Sequence, residues 1–541
     1  MDETAEFFLR PKLAPGVEIH EPQEEGASWV LKDAKDRYFR VGRNMGLFVR
    51  ELDGRRDHAE LVGALGRSWT VEHIAATCDR LYRMDLLDDG THERAPGKHI
   101  SWISFAPPFI VYFNLLRHPE RIFRLTGALA RLFAGRSAGW VMAVTAGAGV
   151  LALAVQSPTI VDVVANPLPM SVLGAVVIAL FCLTVVHEFS HGAALAYHGR
   201  SPNRMGVMLF YLSPAFFCDV SDGWMLPRRH QRVGVALAGI VVQMAITCAV
   251  AVAALAFPDG NVRDALLVFA ALTLVAGTLN LLPFVKLDGY IALMNYLDTP
   301  FLRAKAMDDA RGFFARIAFG TPWRRNLRWW WSVPYGMACL LFPAVLVFGA
   351  LGIWAEMFSS FGIIGYTVIF LLIFYIAYRA VGEFARGIKN ARAAHAERTR
   401  MWIAVTGLTV AAVGALAVIP VPYAVSGGYV HGEDGSFLVF PESVDRARVG
   451  PGATVTLQDR GVLLRSATGS AVLADEEPAL VDAPLNAFSP IELDDSWTIP
   501  VTGYPMESVA GEEGTGTARV DLGYVPLGEW MYRMSVAPMW N

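Results

Sequence analysis

Cysteine is scarce in this chain: there are five among 541 residues, and no two of them form a CxxC pair. Cys182, Cys248 and Cys339 lie in apolar runs, Cys78 lies in the N-terminal segment, and residues 421–541 contain none. Disulfide frameworks and structural zinc sites built from cysteine both need paired cysteines at short spacing. The pattern therefore argues against both.

The first hundred residues lack a long apolar run. They are polar and mixed in charge, so no cleavable signal peptide is predicted. Residues 1–95 are instead expected to form a cytoplasmic, winged-helix-like peptide-recognition domain, with two strands over 28–42 followed by three amphipathic helices. Gly54 is expected to end the first helix, and Thr70 is the expected N-cap of the third. A solubilising cap without a ligand is the alternative for this domain.

Apolar residues are abundant in the rest of the chain and make up 54% of the whole. Runs of about 20 such residues predict helices that cross a membrane. The predicted fold class is a mainly α-helical polytopic membrane protein with a small N-terminal α+β domain and a C-terminal β-rich domain. The seven predicted spans are 139–157, 170–197, 233–257, 265–285, 333–355, 361–380 and 402–420.

Basic residues are nearly absent from alternate loops between these spans. The loops 158–169, 258–264 and 356–360 contain one basic residue, Arg263, whereas the other connecting segments contain many. Because basic loops remain in the cytoplasm, the N-terminus is predicted inside and the C-terminus outside. The expected location is a bacterial cell membrane, with lipid around the spans.

Two further segments differ from the spans in composition. Residues 96–138 are apolar but interrupted by Pro107, Pro108 and several arginines, which predicts an amphipathic linker lying at the membrane interface. Residues 421–541 contain short alternating runs typical of strands, with 17 acidic and 6 basic residues. This last segment is predicted to be a β-rich extracytoplasmic domain.

The sequence HEFSH at 187–191 places ionisable side chains inside an apolar helix. On a helix, His187 and His191 lie one turn apart on one face, so both imidazoles can bind one zinc ion while Glu188 accepts a proton from water. A charge at the bilayer centre costs about 2.5–3.5 kcal/mol on insertion scales, and metal coordination compensates for it. A polar cluster that holds helices together is the alternative.

A catalytic zinc needs a third protein ligand and an open position. The fourth span ends in GTLNLLPFVKLDGY, residues 277–290, where Pro283 must disrupt the helix and Gly289 permits a tight backbone path. This break allows Asp288 to turn inward. Asp288 is therefore the predicted third ligand of a single Zn²⁺ ion; a simple Asp-Gly turn is the alternative.

The stretches HEFSH and NLLPFVKLDG resemble the paired motifs HExxH and N-x-x-P-x-x-x-x-D-G of the site-2 protease family, which are intramembrane zinc metalloproteases. The resemblance implies that residues 139–300 are the metalloprotease transmembrane core and that 301–420 are additional transmembrane helices. It also implies that Glu188 is the catalytic base and that Asn280 positions substrate or stabilises the oxyanion. The implied metal ligands are His187, His191 and Asp288.

Residues 18–89 resemble the RiPP recognition element, a module that captures leader peptides during the maturation of ribosomally synthesised peptides. The match lies in WVLKDAKDRYFRVG, in LFVRELDG and in LYRMDLLDDG, taken with the order of the strands and helices. In that family the leader peptide adds a strand to the edge of the sheet. The implied partner is a precursor or leader peptide, and no nucleic-acid partner is predicted.

The aromatic loop 205–232 follows the HExxH helix. In members of the site-2 protease family such a segment presents substrate to the site as an extended strand, and the resemblance implies the same here. Asp219, Asp222 and His230 in this loop are predicted to be turn and interface residues, with a second metal site as the alternative.

The predicted function is zinc-dependent hydrolysis of a peptide bond near the cytoplasmic leaflet, removing the leader from a precursor peptide. One alternative is regulated intramembrane proteolysis of a membrane-anchored regulator, such as an anti-sigma factor. An alternative of another class is a non-catalytic transporter or receptor with structural zinc. The sequence indicates no oligomeric state.

Overall fold

The structure, a computed structural model, forms two compact units. The first contains residues up to 144 together with 181–246 and 277–300; the second contains 145–180, 247–276 and the chain from 301 onward. The residues described are 10–21, 29–33, 37–66, 69–88, 102–106, 110–116, 119–132, 135–210, 213–359, 362–394, 396–432, 435–440, 449–460, 465–488, 491–492, 497–510 and 514–537.

The N-terminal domain is a three-stranded antiparallel sheet, order β1-β2-β3, followed by three helices. Both predicted strands are present, and a third strand of three residues precedes them, too short to show an alternating pattern. The elements are β1 (Glu18–His20), β2 (Trp29–Lys32), β3 (Tyr38–Val41), α1 (Arg43–Arg50), α2 (His58–Leu65) and α3 (Val71–Tyr82).

Local signals in the sequence fix the ends of these helices. The Thr70 hydroxyl accepts a hydrogen bond of 3.2 Å from the His73 N–H, which confirms the predicted N-cap of α3. The first helix ends at Arg50, four residues before Gly54, which instead adopts a left-handed turn at φ +75°. Phe48, Leu61 and Ile74 are fully buried between the helices and the sheet. Each contributes about 1.5–3 kcal/mol by burial.

The segment predicted as one amphipathic linker is divided in two. It forms strands β4 (Ile103–Ala106) and β5 (Ile110–Leu116) and then helix α4 (Glu120–Leu132), while Pro107 and Pro108 lie outside the described residues. The two strands join β7 (Met205–Phe210) and β8 (Ser213–Cys218) in a sheet of order β4-β5-β7-β8. Strand β5 pairs with β7, about 90–100 residues further along the chain, and such distant pairing can outweigh local pattern. The interfacial location predicted for this segment stays a prediction.

The helical core of the chain follows α4. Its first members are α5 (Arg136–Val155), α6 (Ser157–Ala165), α7 (Met170–Tyr197), α8 (Arg229–Ala254), α9 (Asn261–Leu281) and α10 (Asp288–Tyr296). The later members, all in the second unit, are α11 (Leu302–Phe319), α12 (Ser332–Ser359), α13 (Gly362–Ala393) and α14 (Arg398–Val418).

Six helices among the described residues are long and apolar enough to cross a membrane: α5, α7, α8, α9, α13 and α14. They coincide with six of the seven predicted spans. The remaining predicted span, 333–355, lies in α12, whose apolar stretch Ser332–Val347 is shorter than the others. The helices are therefore those expected of a membrane protein by length and composition.

The C-terminal region is rich in strands, as predicted, and carries one short helix at its end. Its strand pairings form a closed cycle, β9-β10-β15-β12-β11-β16, with β13 added on β15. Phe440, Val455 and Val520 are fully buried inside it. The elements are β9 (Pro420–Gly432), β10 (Gly435–Phe440), β11 (Thr454–Arg460), β12 (Arg465–Leu473), β13 (Ala479–Pro484), β15 (Thr498–Ala510), β16 (Gly514–Pro526) and α15 (Leu527–Ser535).

The chain enters and leaves this sheet at one place. Strand β9 begins two residues after α14 ends, and Pro420 lies opposite Pro526, the last residue of β16. The Leu527 N–H then donates to the carbonyl of Ile419 at 2.9 Å. A separate two-stranded parallel pair joins β6 (Leu168–Pro169) to β14 (Ile491–Glu492), both within the second unit.

Candidate metal centre

Two histidines on one face of α7 form the base of the site. His187 and His191 are four residues apart, and their Nε2 atoms lie 3.3 Å from each other. Both residues are buried, at 7% and 5% exposure. The helical spacing thus brings two nitrogen donors to one point, as HExxH predicts.

Asp288 completes a group of three donors. Its Oδ2 lies 3.0 Å from Nε2 of His187 and 3.3 Å from Nε2 of His191. The carboxylate oxygen is therefore a third donor aimed at the two rings.

The spacing of these donors fits a metal ion. Zinc bound to nitrogen at 2.0–2.1 Å with tetrahedral angles separates neighbouring ligand atoms by about 3.3 Å. The three separations here are 3.0, 3.3 and 3.3 Å, and no other group of three His, Cys, Asp or Glu side chains within the described parts of the chain could hold a metal. Three protein ligands leave a tetrahedral ion one open position.

Helix α8 orients both imidazoles from behind. Nδ1 of His187 donates to Oε1 of Gln243 at 3.0 Å, and Nδ1 of His191 donates to the carbonyl of Val235 at 2.8 Å. These bonds place the ring protons on Nδ1, so each Nε2 presents its lone pair toward the partner ring and Asp288. Such outer bonds commonly fix the tautomer and ring plane of a metal-binding histidine.

Gly239, also on α8, leaves the space in which the donors meet. A Cβ atom built at this position would lie 2.5 Å from Nε2 of His191 and 2.6 Å from Nε2 of His187. Because Val235, Gly239 and Gln243 are spaced by four residues, they form one face of α8. Along that face, the Val235 carbonyl accepts from His191, Gly239 leaves room for both rings, and the Gln243 side chain accepts from His187.

A break between α9 and α10 delivers Asp288. The first helix ends at Leu281, and the second begins at Asp288 itself. Asn280 bridges the break, since its Nδ2 donates to Oδ2 of Asp288 at 2.9 Å and its Oδ1 accepts from the Asp288 N–H at 3.3 Å. A side chain at Gly289 would overlap the carbonyl of Leu281, so only glycine permits this approach.

Asn280 accordingly positions Asp288 in this arrangement. Its Nδ2 also lies 3.5 Å from Nε2 of His187. A contact of Asn280 with substrate or with an oxyanion stays a prediction, because no substrate is present.

Glu188 lies beside the three donors and is held from the opposite side. Its carboxylate accepts a hydrogen bond of 3.0 Å from the backbone N–H of Cys218, at the end of β8. It is half-buried and interacts electrostatically with His187, His191 and Asp288. The end of β8 therefore anchors this carboxylate next to the donors through a backbone N–H.

The acidic residues of the following loop form other contacts. Asp219 pairs with Arg204 and accepts from the Ser221 N–H, while Asp222 accepts from Lys32, Tyr38 and Asn203. Burial would raise the pKa of Asp222, but hydrogen bonds from Tyr38 and Lys32 outweigh it and lower the pKa. His230 is exposed. These contacts agree with turn and interface roles rather than with a second metal site.

Sequence reasoning missed Gly239, Gln243 and the Cys218 N–H. The signal for Gln243 was present, because an amide inside an apolar helix must find a hydrogen-bond partner. Gly239 gave no comparable signal, since Gly234 and the many alanines of the same span could equally have faced lipid or a neighbouring helix. Only the packing of α7 on α8 distinguishes it.

Comparisons with protein-family models, with curated proteins and with solved structures gave no match. The chemistry of this site therefore rests on its own geometry.

Proposed function

We propose that this chain is a membrane zinc peptidase of the site-2 protease type. The observation that carries the proposal is the meeting of His187, His191 and Asp288 at zinc-compatible separations, with Glu188 anchored beside them. Three protein ligands and an adjacent carboxylate are the composition of a hydrolytic zinc site.

The location of the site in the chain supports a membrane setting. His187 and His191 belong to α7, and Asp288 follows α9. Both of these helices are long and apolar enough to cross a membrane. Ionisable side chains in such helices are costly unless they are paired or bind an ion, so they commonly mark a function. We propose that the helices span a bacterial membrane, with the site near the cytoplasmic leaflet.

Each residue has a defined task in peptide hydrolysis. His187, His191 and Asp288 would hold a zinc ion, which would supply a lowered pKa of about 7 for water and polarisation of a carbonyl group. Glu188 accepts the proton of the attacking water on its carboxylate and returns it to the leaving amine. Val235 and Gln243 keep the imidazoles in the tautomer that binds metal, and Asn280 holds the carboxylate of Asp288 toward them.

We further propose that the substrate is a precursor peptide held through its leader. The N-terminal domain has the strands and helices of a winged-helix-like unit, and among its described residues β3 pairs only with β2. An edge strand can bind an extended peptide through main-chain hydrogen bonds. The proposed reaction is removal of that leader.

Glu188→Gln tests the enzymatic claim. The purified protein, loaded with one equivalent of zinc, is assayed on a quenched-fluorescence peptide library beside wild type and Glu120→Gln, an exposed carboxylate in the same unit. Glu188→Gln is expected to retain zinc and to lose cleavage by at least about 100-fold, since general base catalysis contributes that much. Glu120→Gln is expected to match wild type.

Full cleavage by Glu188→Gln would end the peptidase proposal and favour a transporter or receptor with structural zinc. The same inactive variant can then be used to trap a substrate from cells. Recovery of a short precursor peptide supports leader removal, whereas recovery of a membrane-anchored regulator supports regulated intramembrane proteolysis.

A further inference from the structure

The N-terminal domain is joined to the metal-site region by two buried clusters of charge, which we call the N-terminal dock. In the first, Lys32 donates to Asp222 at 2.9 Å and the Tyr38 hydroxyl donates to the same carboxylate. In the second, Arg40 donates to Asp298. All of these residues belong to the first unit, so the dock is internal to one compact body.

The Arg40–Asp298 ion pair is buried rather than exposed at the surface. Both side chains are 7% exposed, and Arg40 also lies over the ring of Trp224, with 5.3 Å between the guanidinium carbon and the ring centroid. Asp298 accepts a second bond, of 2.8 Å, from Arg232 on α8. Removing one partner of such a buried pair is far more disruptive than removing an exposed one.

The backbone of Asp298 adopts a left-handed conformation at φ +50°. Few residues with a side chain do so, and Asp is among those that adopt it most readily, which suits the end of a helix. Asp298 follows directly after α10 and its cap residue Leu297. Two arginines from different parts of the chain thus clamp the end of α10.

Asp298 and Asp222, the two carboxylates of the dock, are each connected to the metal site by a short helical element. Helix α10 has Asp288 as its first residue and spans nine residues, or about 13 Å at 1.5 Å per residue. Asp222 lies in the 3₁₀ turn Ser221–Met225, four residues after Cys218, whose N–H donates to Glu188. One anchor therefore connects to a metal ligand and the other to the carboxylate beside it.

We propose that the N-terminal domain positions the metal site, with Arg40 acting as a positioning residue that holds α10, and hence Asp288, in place. This role deepens the proposed function and rests on it only for the identity of the metal. A peptide that binds to the N-terminal domain would then change the position of Asp288 through helix α10. Reciprocally, the occupied site would favour the docked domain, since coupling between two sites acts equally in both directions.

Arg40→Met tests the proposal, because methionine retains an unbranched apolar side chain and removes the charge. Arg232 still holds Asp298 in this variant, so the fold has a remaining anchor. Arg40→Lys is the rescue, since Arg40 uses one nitrogen toward Asp298 while its Nε and Nη1 have no acceptor among the described residues. Arg37→Met is the matched control, because Arg37 pairs with Asp33 and Asp85 inside the same domain.

Two measurements on the full-length protein decide the matter. The first is amide hydrogen exchange of residues 289–297 in metal-free protein, expected to become about tenfold faster or more in Arg40→Met as the helix opens locally. The second is zinc affinity by competition with a chelator, expected to fall by about fivefold or more, the lower end of typical coupling between sites. Arg40→Lys should recover most of both, and Arg37→Met should change neither.

Unchanged exchange over 289–297 in Arg40→Met would overturn the proposal, and so would faster exchange with unchanged zinc affinity. Lys32→Met provides a second variant, whose exchange should rise over 218–225 instead. If the wild-type protein binds no zinc, the proposed function is wrong. The exchange rates still test whether Arg40 holds α10 in place. If zinc binding depends on Arg40 but no peptide is cleaved, the positioning role stands and the peptidase fails.

Discussion

Gly239→Ala is expected to abolish metal binding through a single added methyl group. The new Cβ would lie 2.5 Å from Nε2 of His191 and 2.6 Å from Nε2 of His187, whereas ordinary contact begins near 3.4 Å. The rings must therefore retreat by 0.9 and 0.8 Å, the differences between these distances. Metal–ligand bonds tolerate about 0.2 Å, so at least one of the two bonds cannot form.

The magnitude follows from what is lost. Disturbing only an outer partner of a metal ligand typically costs 10–100-fold in affinity, so displacing a ligand itself should weaken zinc binding by more than about 100-fold. The assay is competition for zinc with a chromophoric chelator, using purified protein in detergent. Circular dichroism on the same samples reports whether the helices remain intact.

Gly234→Ala is the matched control on the same helix. A Cβ at Gly234 meets nothing within 4 Å, and replacing glycine by alanine inside a helix stabilises it by about 1 kcal/mol. This variant should bind zinc as wild type does and melt at a slightly higher temperature. Zinc affinity in Gly239→Ala within about threefold of wild type would refute the reasoning, because the donors could not then meet where the structure places them.

Three further outcomes are expected. Gln243→Ala should weaken zinc binding by about 10–100-fold, since His187 loses the acceptor that fixes its ring; equal affinity by chelator competition would contradict this. The pKa of Asp222 is lowered, so its contribution to stability is complete above about pH 4 and is lost only as pH falls through the lowered pKa. The rate of hydrogen exchange over 218–225, corrected for the intrinsic rate, should therefore be the same at pH 8 and at pH 5. Burial raises the pKa of the Cys78 thiol to about 11, so at pH 8 an alkylating reagent should modify Cys78 far more slowly in the folded protein than after denaturation, and comparable rates by peptide mass spectrometry would show that the N-terminal domain opens.

The sequence predicted the parts of the site that sit at fixed spacing along one helix. His187 and His191 are four residues apart, and helical geometry alone brings their rings together. Asp288 could be predicted because the break at Pro283 and the small Gly289 have local physical causes. The Thr70 cap was readable for the same reason.

Features that depend on distant pairing could not be predicted from one sequence. Strand β5 looks like part of an amphipathic linker until β7 pairs with it, and its own residues do not encode that partner. Gly239 resembles any small residue of an apolar helix until α7 packs against it. Arg40 likewise reads as a solvent-facing position of a short strand, and only the tertiary structure buries it against Asp298.

The attachment of the C-terminal sheet has a consequence for how this protein can vary. Because Ile419 and Leu527 are already hydrogen-bonded to each other, the intervening 107 residues form a loop whose ends are held together by the helical part. Insertions and replacements are tolerated best where the two ends of the exchanged segment lie close together. The sheet is therefore attached like an inserted domain, and a different domain grafted between these two residues would also have to replace the pairing of β14 with β6, directly before α7.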